Sequence, residues 1–496
     1  MRMGIQIVPH IVDGHDVIVD YDGTTTTFLS PNDSSTDGNG PVYVQGSDTA
    51  LSTQAVESCA RAFDTWRSTR LTERRDLFLR LATVFRENAE ELRLIVLAEL
   101  SCSTTWADIN VNDTIALAEH AATLASSSVF SEKVPNVRNP SSHATVNVVP
   151  LGVVLGIAPW NAPAILGLRA IAAPVMAGNC VIFKGSEYSP RTHHFIAKAF
   201  RMAGFPPGVV NFVMHEPKHA ASLFETIISH PKVRKCNFTG STAVGRHIAM
   251  KAACYLKPVL LELGGKNFAI VLDDADLDEA SEDIIIGAFL NAGQICMSTD
   301  MVLATETVKN ELAEILCAKL HRFSEEHVRK PVLKAGNAKM KQLIEDASAK
   351  GARTYTAHNQ PAPNSHEATN GCESKASGQY SATLIENVTP EMDFWTQESF
   401  GPVLGLAACS GLSEAIDIVN SSEYGLSAAI FTKTSNSMLH DVASRLEVSA
   451  VHVNGATVHD EAALPHGGFK NSGWGRFGGE WGILEFVQTQ TTIINY

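Results

Sequence analysis

Three apolar runs, VVLGIA (153–158), NCVIFKG (179–185) and GVVNFV (208–213), alternate with two segments of helical length in this 496-residue chain. The first connecting segment, residues 165–177, is apolar almost throughout; the second, SPRTHHFIAKAFRMAGF (189–205), is amphipathic and ends at Gly204. Short strands that are apolar on both faces need cover on both faces, and helical crossovers supply it. The rhythm therefore predicts an α/β fold with a largely parallel sheet between helices. It resumes at KNFAIVLDDAD (266–276) and again at PVLGLAA (402–408) followed by SEAIDIVNSSEYG (413–425).

Outward from this stretch the pattern is helical. LSTQAVESCARAFDTWRST (51–69) sets Ala55, Cys59, Phe63 and Trp66 at three-to-four spacing, and LTERRDLFLRLATVFRENAEEL (71–92) repeats it. Residues 51–96 thus read as two helices, with a further one over 106–125. Residues 130–149, bounded by Pro and Asn, read as a hairpin or exposed excursion, and 354–379, which lacks any period, as a mobile surface loop. At roughly 150 residues per domain the length predicts about three domains.

Composition excludes several function classes. Lys and Arg total 39 against 53 Asp and Glu, a net charge of -14, which argues against nucleic acid and against a polybasic membrane anchor. The nine cysteines are scattered without a CxxC pair, so neither a disulfide framework nor a zinc knuckle is suggested. The most apolar region, 148–183, is interrupted by Pro150, Pro159, Asn161, Pro163, Arg169 and Pro174, and reads as buried strand, loop and helix rather than a membrane span. MRMGIQIVPHIVDGHD has too short an apolar stretch for a signal peptide, and a cytoplasmic location is expected.

Several residues carry chemistry. Gly473-Trp-Gly-Arg-Phe-Gly478 matches the dinucleotide spacing but follows no apolar strand, so it reads as a decoy. FTGSTAVGR (238–246) is a better phosphate candidate, with Ser241 at a helix start; an ordinary capped helix is the alternative. Cys296, in FLNAGQICMST, is by default a buried thiol, whereas Glu262, between apolar residues and two glycines in LLELGGKN, must be paired or tuned for proton transfer. Asn161 lies between prolines where a strand should end, the edge at which α/β ligands bind. A thiol nucleophile, a carboxylate base and an amide donor form a coherent set for carbonyl chemistry. His452, His459 and His466 recur every seven residues, but no helix places them on one face, and no metal site is expected; His459 reads better at a substrate mouth. Arg169 either pairs with a buried acid or serves a substrate pocket.

Taken together, PWNAP (159–163), FKGSE (183–187), FTGSTAVG (238–245), LELGGKN (261–267), GQIC (293–296), ESFGPV (398–403) and PHGGFKNSGWGR (465–476) resemble the NAD(P)-dependent aldehyde dehydrogenase superfamily, in its motif order and over roughly residues 50–490. NAPAILGLRAIAAPVMAGNCVIFKGSE and NGATVHDEAALPHGG are most similar to the salicylaldehyde, benzaldehyde and vanillin dehydrogenase group. The resemblance implies that Cys296 attacks the aldehyde, that the Asn161 amide and the Cys296 N–H hold the oxyanion, and that hydride passes to the nicotinamide. Glu262 would then activate water to hydrolyse the thioester. It also implies a cofactor site of Ile157, Trp160, Lys184, Glu187, Gly240, Ser241, Gly245, Leu263, Glu398 and Phe400. Lys184 and Glu187 would hold the adenosine ribose, and the Glu187 carboxylate would favour NAD over NADP. In the aromatic-aldehyde enzymes Arg169 resembles a pocket arginine.

The implied architecture is two open α/β domains: a cofactor domain over 1–128 and 150–263, and a catalytic domain over 264–450. Residues 129–149 and 451–496 would supply a β bridging arm and substrate-side segments of a homodimer or tetramer. Two departures stand out: Gly185, where many members have proline, would loosen its loop, and Gln397 replaces a common acid. Alternatives are an aliphatic or semialdehyde substrate, a coenzyme-A-acylating enzyme, a catalytically silent NAD-binding scaffold, and a cysteine hydrolase, which would need a histidine base near the thiol.

Overall fold

The computed structural model describes residues 6–18, 27–30, 42–327, 334–357, 381–434 and 436–496. Two large sheets organise them. The first runs, from edge to edge, Gly473–Trp474, Val259–Glu262, Val233–Thr239, Val153–Ile157, Cys180–Lys184, Val210–Val213, His10–Val12 and His15–Val17. Its five central strands are parallel, and antiparallel strands close both edges. The second runs Arg353–Thr356, Thr383–Glu386, Val403–Cys409, Thr299–Thr305, Asn267–Val271, Ser427–Phe431 and Ala450–Val453, parallel except at its first strand.

The helices begin where the local chemistry supplies what a helix start lacks. Asp48 and Ser103 accept from Leu51 and Trp106 N–H groups at the heads of Thr49–Trp66 and Thr104–Thr123. Pro163 and Pro190 open Pro163–Met176 and Pro190–Met202, where a missing N–H costs nothing. These helices pack on strands that are buried almost throughout, such as Cys180–Lys184. Phe183 and Phe212 lie in that interior with no exposure, and truncating either to alanine costs about 3–5 kcal/mol.

Three readings change. Residues 51–96 hold three helices rather than two, because the backbone leaves helical geometry at Asn88, between Leu71–Glu87 and Ala89–Leu100. The Asn88 side chain donates to the Val84 carbonyl at 2.8 Å, a competing bond that helical periodicity does not reveal. Within 130–149 the local antiparallel pairing is a single bridge between Lys133 and Val146, while Ser142–Pro150 pairs antiparallel along its whole length with Val487–Asn495 at the far end of the chain. Of the loop at 354–379, Thr354–Thr356 belong to a strand paired with Thr383–Ile385, and 358–380 lie outside the described residues.

The remaining placement fixes the site. Ile295 and Met297 flank Cys296 and belong to the hydrophobic core of the first sheet, although their chain enters the second sheet at Thr299. The Cys296 loop therefore lies where the two sheet systems meet.

Candidate active site

The first sheet changes direction at Val153–Ile157: the chain proceeds to one side through Cys180–Lys184 and to the other through Val233–Thr239 and Val259–Glu262. Crossovers that leave in opposite directions open a crevice beyond the carboxyl ends of the strands. Ile157 is in register with Lys184 and with Phe238, and Thr239 with Glu262, so this edge gathers the residues that sequence motifs marked far apart.

On the cofactor side, Lys184 lies 3.7 Å from the Glu187 carboxylate, with both side chains largely buried. Gly185 between them is packed rather than loose: a Cβ there would stand 2.7 Å from the Phe212 ring and 2.8 Å from the Met214 sulfur. Ser241 caps Thr242–Cys254, accepting from the Val244 N–H at 3.4 Å, and the Thr242 hydroxyl beside it is buried without a partner. The Gly240 N–H donates to the Glu262 carbonyl at 3.0 Å. Gly245 allows its helix to close on Leu263, whose methyl groups fill the space a Cβ would occupy. The Trp160 indole meets the Phe400 ring edge-on at 6.0 Å. Gly473 and Trp474, the start of the decoy glycine motif, form an edge strand against Leu261 and Glu262.

The thiol stands on a strained loop. Asn291, Ala292 and Gly293 have successive φ angles of 50°, 54° and 70°, a left-handed run that costs Asn and Ala of order 1 kcal/mol each. Hydrogen bonds hold it there. The Asn291 amide donates to the Asn161 carbonyl at 3.1 Å, the Gln294 amide to the Asn291 carbonyl at 3.0 Å, and the Asn161 amide to the Gln294 carbonyl at 3.0 Å. The Asn267 amide donates to the carbonyls of both Cys296 and Ser298 at 2.9 Å, tying the motif at 261–267 to the cysteine. A Cβ on Gly293 would overlap the Gly401 carbonyl, so the loop can meet residues 398–401 only through glycine.

Glu262 is buried at 1% exposure, and neither carboxylate oxygen has a hydrogen-bond partner. Its Oε1 lies 3.6 Å from His466 Nε2, and His466 Nδ1 lies 3.3 Å from Asp460 Oδ2. Asp460 in turn receives Arg169 Nη2 at 2.5 Å. Glu262, Cys296 and His466 present a carboxylate oxygen, a sulfur and an imidazole nitrogen all within 4.8 Å of one another, atoms of a kind that can hold a metal ion. Burial, then Glu262 and next Glu398, raises the Cys296 thiol well above its usual range, while Arg169 pulls the other way. Burial also works against the Arg169 charge, but Asp460 outweighs it and raises Arg169; Arg169 and His466 likewise hold Asp460 low despite burial.

A second anchor holds the 397–400 segment. The buried Lys266 ammonium donates to the Gln397 carbonyl at 2.8 Å and lies 3.8 Å above the Phe394 ring and 3.5 Å from Asp300. Asp300 accepts from the Ser399 N–H at 3.0 Å and its hydroxyl at 2.7 Å. The Gly265 N–H donates to Glu398 at 3.1 Å, while burial and the Asp300 charge push Glu398 up to about 7.

Motif reading located Cys296, Glu262 and Asn161 but missed Asp460, Lys266, Asp300, Asn267 and Gln294. It named His466 only as part of a seven-residue spacing. In the structure His466 has left its two namesakes. It is 6% exposed beside Glu262, whereas His459 is exposed, 3.1 Å from Glu461 and edge-on to His452 at 6.3 Å. A buried polar run such as Asn267 next to Lys266, or Asp460 six residues before His466, was the available signal. Arg169 takes the paired arrangement with a buried acid.

Comparison with known proteins gives the family. The aldehyde dehydrogenase family profile matches residues 27–492. A salicylaldehyde dehydrogenase of Pseudomonas sp. strain C18 is 37% identical over 450 residues, 89% of each chain. A vanillin dehydrogenase of Pseudomonas sp. strain HR199 is 38% identical over 447 residues, again 89% of each chain. The crystal structure of a salicylaldehyde dehydrogenase from Pseudomonas putida G7 complexed with salicylaldehyde is 33% identical, with a TM-score of 0.90 over 99% of this chain and 98% of its own. The profile and these relatives match nearly the whole length: this chain belongs to the aldehyde dehydrogenase family.

Proposed function

We propose that the protein oxidises an aromatic aldehyde to its carboxylic acid with NAD. The observation that carries this reading is the convergence of Cys296 and Glu262 on one buried cluster, with the Asn161 amide bonded to the carbonyl two residues before the thiol. The aromatic substrate rests on the relatives named for salicylaldehyde and vanillin.

The residues at the strand ends fit a dinucleotide. The unpartnered Thr242 hydroxyl and the first-turn N–H groups of Thr242–Cys254 suit a pyrophosphate, and Lys184 supplies a cation against the overall charge of -14. Glu187 can accept from ribose hydroxyls and would repel a 2′-phosphate, which favours NAD over NADP. Ile157, Trp160, Gly240, Gly245, Leu263, Glu398 and Phe400 complete the cradle. When bound, the nicotinamide supplies the hydride acceptor.

The chain's own groups do the rest. The Cys296 sulfur adds to the aldehyde carbon, and the Asn161 amide with the Cys296 N–H holds the oxygen on which charge grows. Glu262 takes one proton from the water that hydrolyses the thioester, releasing the acid and the Cys296 thiolate. Arg169 acts through the charge it places near Cys296, and His459 stands at the substrate mouth.

The proposed division is that 1–128 and 150–263 bind the cofactor, 264–450 carry the thiol, and 129–149 with 451–496 bridge subunits in the cytoplasm. The pairing of Ser142–Pro150 with Val487–Asn495 supports that arm, since Ile493 and Ile494 on it are 60% and 46% exposed and suit a dimer or tetramer interface. Among the described residues no helix is long and apolar enough to cross a membrane.

A panel of aromatic, aliphatic and semialdehyde substrates with NAD and with NADP tests the proposal. NADH formation with benzaldehyde-type substrates, abolished in Cys296→Ala, is expected. Preference for aliphatic aldehydes would overturn the substrate class, and NAD binding without turnover would leave a silent scaffold.

A further inference from the structure

Arg169, Asp460, His466, Glu262 and Cys296 form one continuous line of ionisable groups. Successive contacts along it measure 2.5 Å, 3.3 Å and 3.6 Å, and the last three groups lie within 4.8 Å of one another. Every member is wholly or partly buried, and the inner end is unsatisfied: both Glu262 oxygens and His466 Nε2 lack a hydrogen-bond partner. Buried polar atoms are rarely left unpaired unless they exchange a proton or await a ligand. His466 is also fixed in place, because its N–H and carbonyl both pair with Phe477 in an isolated antiparallel bridge.

We propose that His466 is a positioning residue that clears the proton from Glu262 during thioester hydrolysis. Asp460 Oδ2, 3.3 Å from Nδ1, favours the proton on that nitrogen, and this selects the tautomer that leaves the Nε2 lone pair facing Glu262. When water attacks the thioester carbon, its proton goes to the Glu262 carboxylate. The C–S bond then breaks with its electron pair on sulfur, and the acid leaves. Glu262 passes its proton to His466 Nε2, giving an imidazolium held by Asp460, and His466 releases it to solvent. No oxidant or further reactant is required. The charged groups facing His466 are Glu262 from one strand and Asp460 from the preceding loop, with Arg169 and Cys296 next to them. Arg169 sets the balance, since it keeps Asp460 ionised and so able to hold the imidazolium.

This inference rests on the proposed roles of Cys296 and Glu262, and the experiment separates the two. The enzyme is mixed with NAD and benzaldehyde, the NADH burst is followed by stopped flow, and the acyl-enzyme on Cys296 is quantified by rapid-quench mass spectrometry. In His466→Gln the burst should keep its amplitude while steady-state turnover falls about tenfold or more and acyl-enzyme accumulates. The loss should shrink as pH rises, and added imidazole should restore part of it. Asp460→Asn, which keeps the packing of the loop, should shift the same readouts in the same direction. Equal loss of burst and turnover, no acyl-enzyme accumulation, or an unchanged pH profile would overturn the role of His466. If Glu262→Gln accumulates acyl-enzyme and His466→Gln does not, the base reading stands and the relay falls. If wild type never forms an adduct on Cys296, the underlying reading falls instead.

Discussion

The Asn161 side-chain amide donates to the Gln294 carbonyl at 3.0 Å, two residues ahead of the Cys296 thiol. One of its N–H groups thus shapes the cysteine loop, and the other is free to meet a substrate oxygen. Asn161→Ala removes both functions. Turnover should fall by about 100- to 1000-fold, the value of a lost oxyanion donor. A loss of about 1 kcal/mol in stability should accompany it, visible in thermal melts, and Asn161→Asp should not recover it, because a carboxylate cannot donate to the Gln294 carbonyl.

Cys296 should alkylate slowly at neutral pH despite its proposed role as nucleophile. Burial, Glu262 and Glu398 keep it a thiol in the free enzyme. Glu262→Gln removes one of the charges that raises it, so iodoacetamide should label Cys296 faster in that variant even as turnover is lost. Peptide-level mass spectrometry separates Cys296 from the exposed Cys254.

The cofactor-side sheet should be sensitive to acid. Burial, above all, lowers His10 and His194 to about 4 and His193 to about 3, and holds His215 well below the usual range. The unfolded chain protonates these rings below about pH 6.5, whereas the native state does not, so stability is full above that pH and falls as pH drops toward 4. For His10 the loss is about 2 kcal/mol at about pH 5. Burial raises Glu99 and Glu398 to about 7, and they work oppositely, costing stability as pH climbs from 4.5 toward 7. The difference in melting temperature between wild type and His10→Asn isolates one histidine: any deficit of the variant should shrink as the solution is acidified.

Breaking the Arg169–Asp460 pair should cost more than its net worth. Arg169→Met leaves Asp460 largely buried with His466 as its remaining side-chain partner, a penalty of about 3 kcal/mol. Adding Asp460→Asn should recover most of it in a double-mutant cycle read by urea unfolding. If Arg169→Met and wild type melt alike, the pair is not a structural element and Arg169 is free for substrate.

Charge at residue 187 should set cofactor choice. Glu187→Gln should raise the NADP to NAD ratio of kcat/KM by about tenfold, because the repulsion of a 2′-phosphate is relieved while Lys184, 3.7 Å away, remains.

Much of this molecule is written locally. The strands at 153–158, 179–185 and 208–213 follow from runs of apolar residues, their helices from Pro and Ser starts, and the family from motifs in fixed order. Cys296, Glu262 and Asn161 were legible because each breaks the chemistry of its surroundings: a thiol, an acid and an amide in otherwise apolar or glycine-rich segments.

Other features depend on contacts between residues hundreds of positions apart, and local periodicity carries no trace of them. The Ser142–Pro150 strand pairs along its length with Val487–Asn495, so apart from one bridge to Lys133 its partner is set by chain closure rather than by a neighbouring turn. His466 sits beside Glu262 because the strand Gly473–Trp474 pairs with Leu261 and Glu262 and carries the C-terminal segment to the end of the first sheet. The three histidines looked equivalent by spacing; burial divides them, leaving one at the carboxylate and another in solvent. The sequence by itself determined the β/α rhythm and the candidate reactive side chains, since both arise from residue type. Only the tertiary structure decided which ionisable groups face one another, because that depends on desolvation and distance, which exist only after the chain has closed.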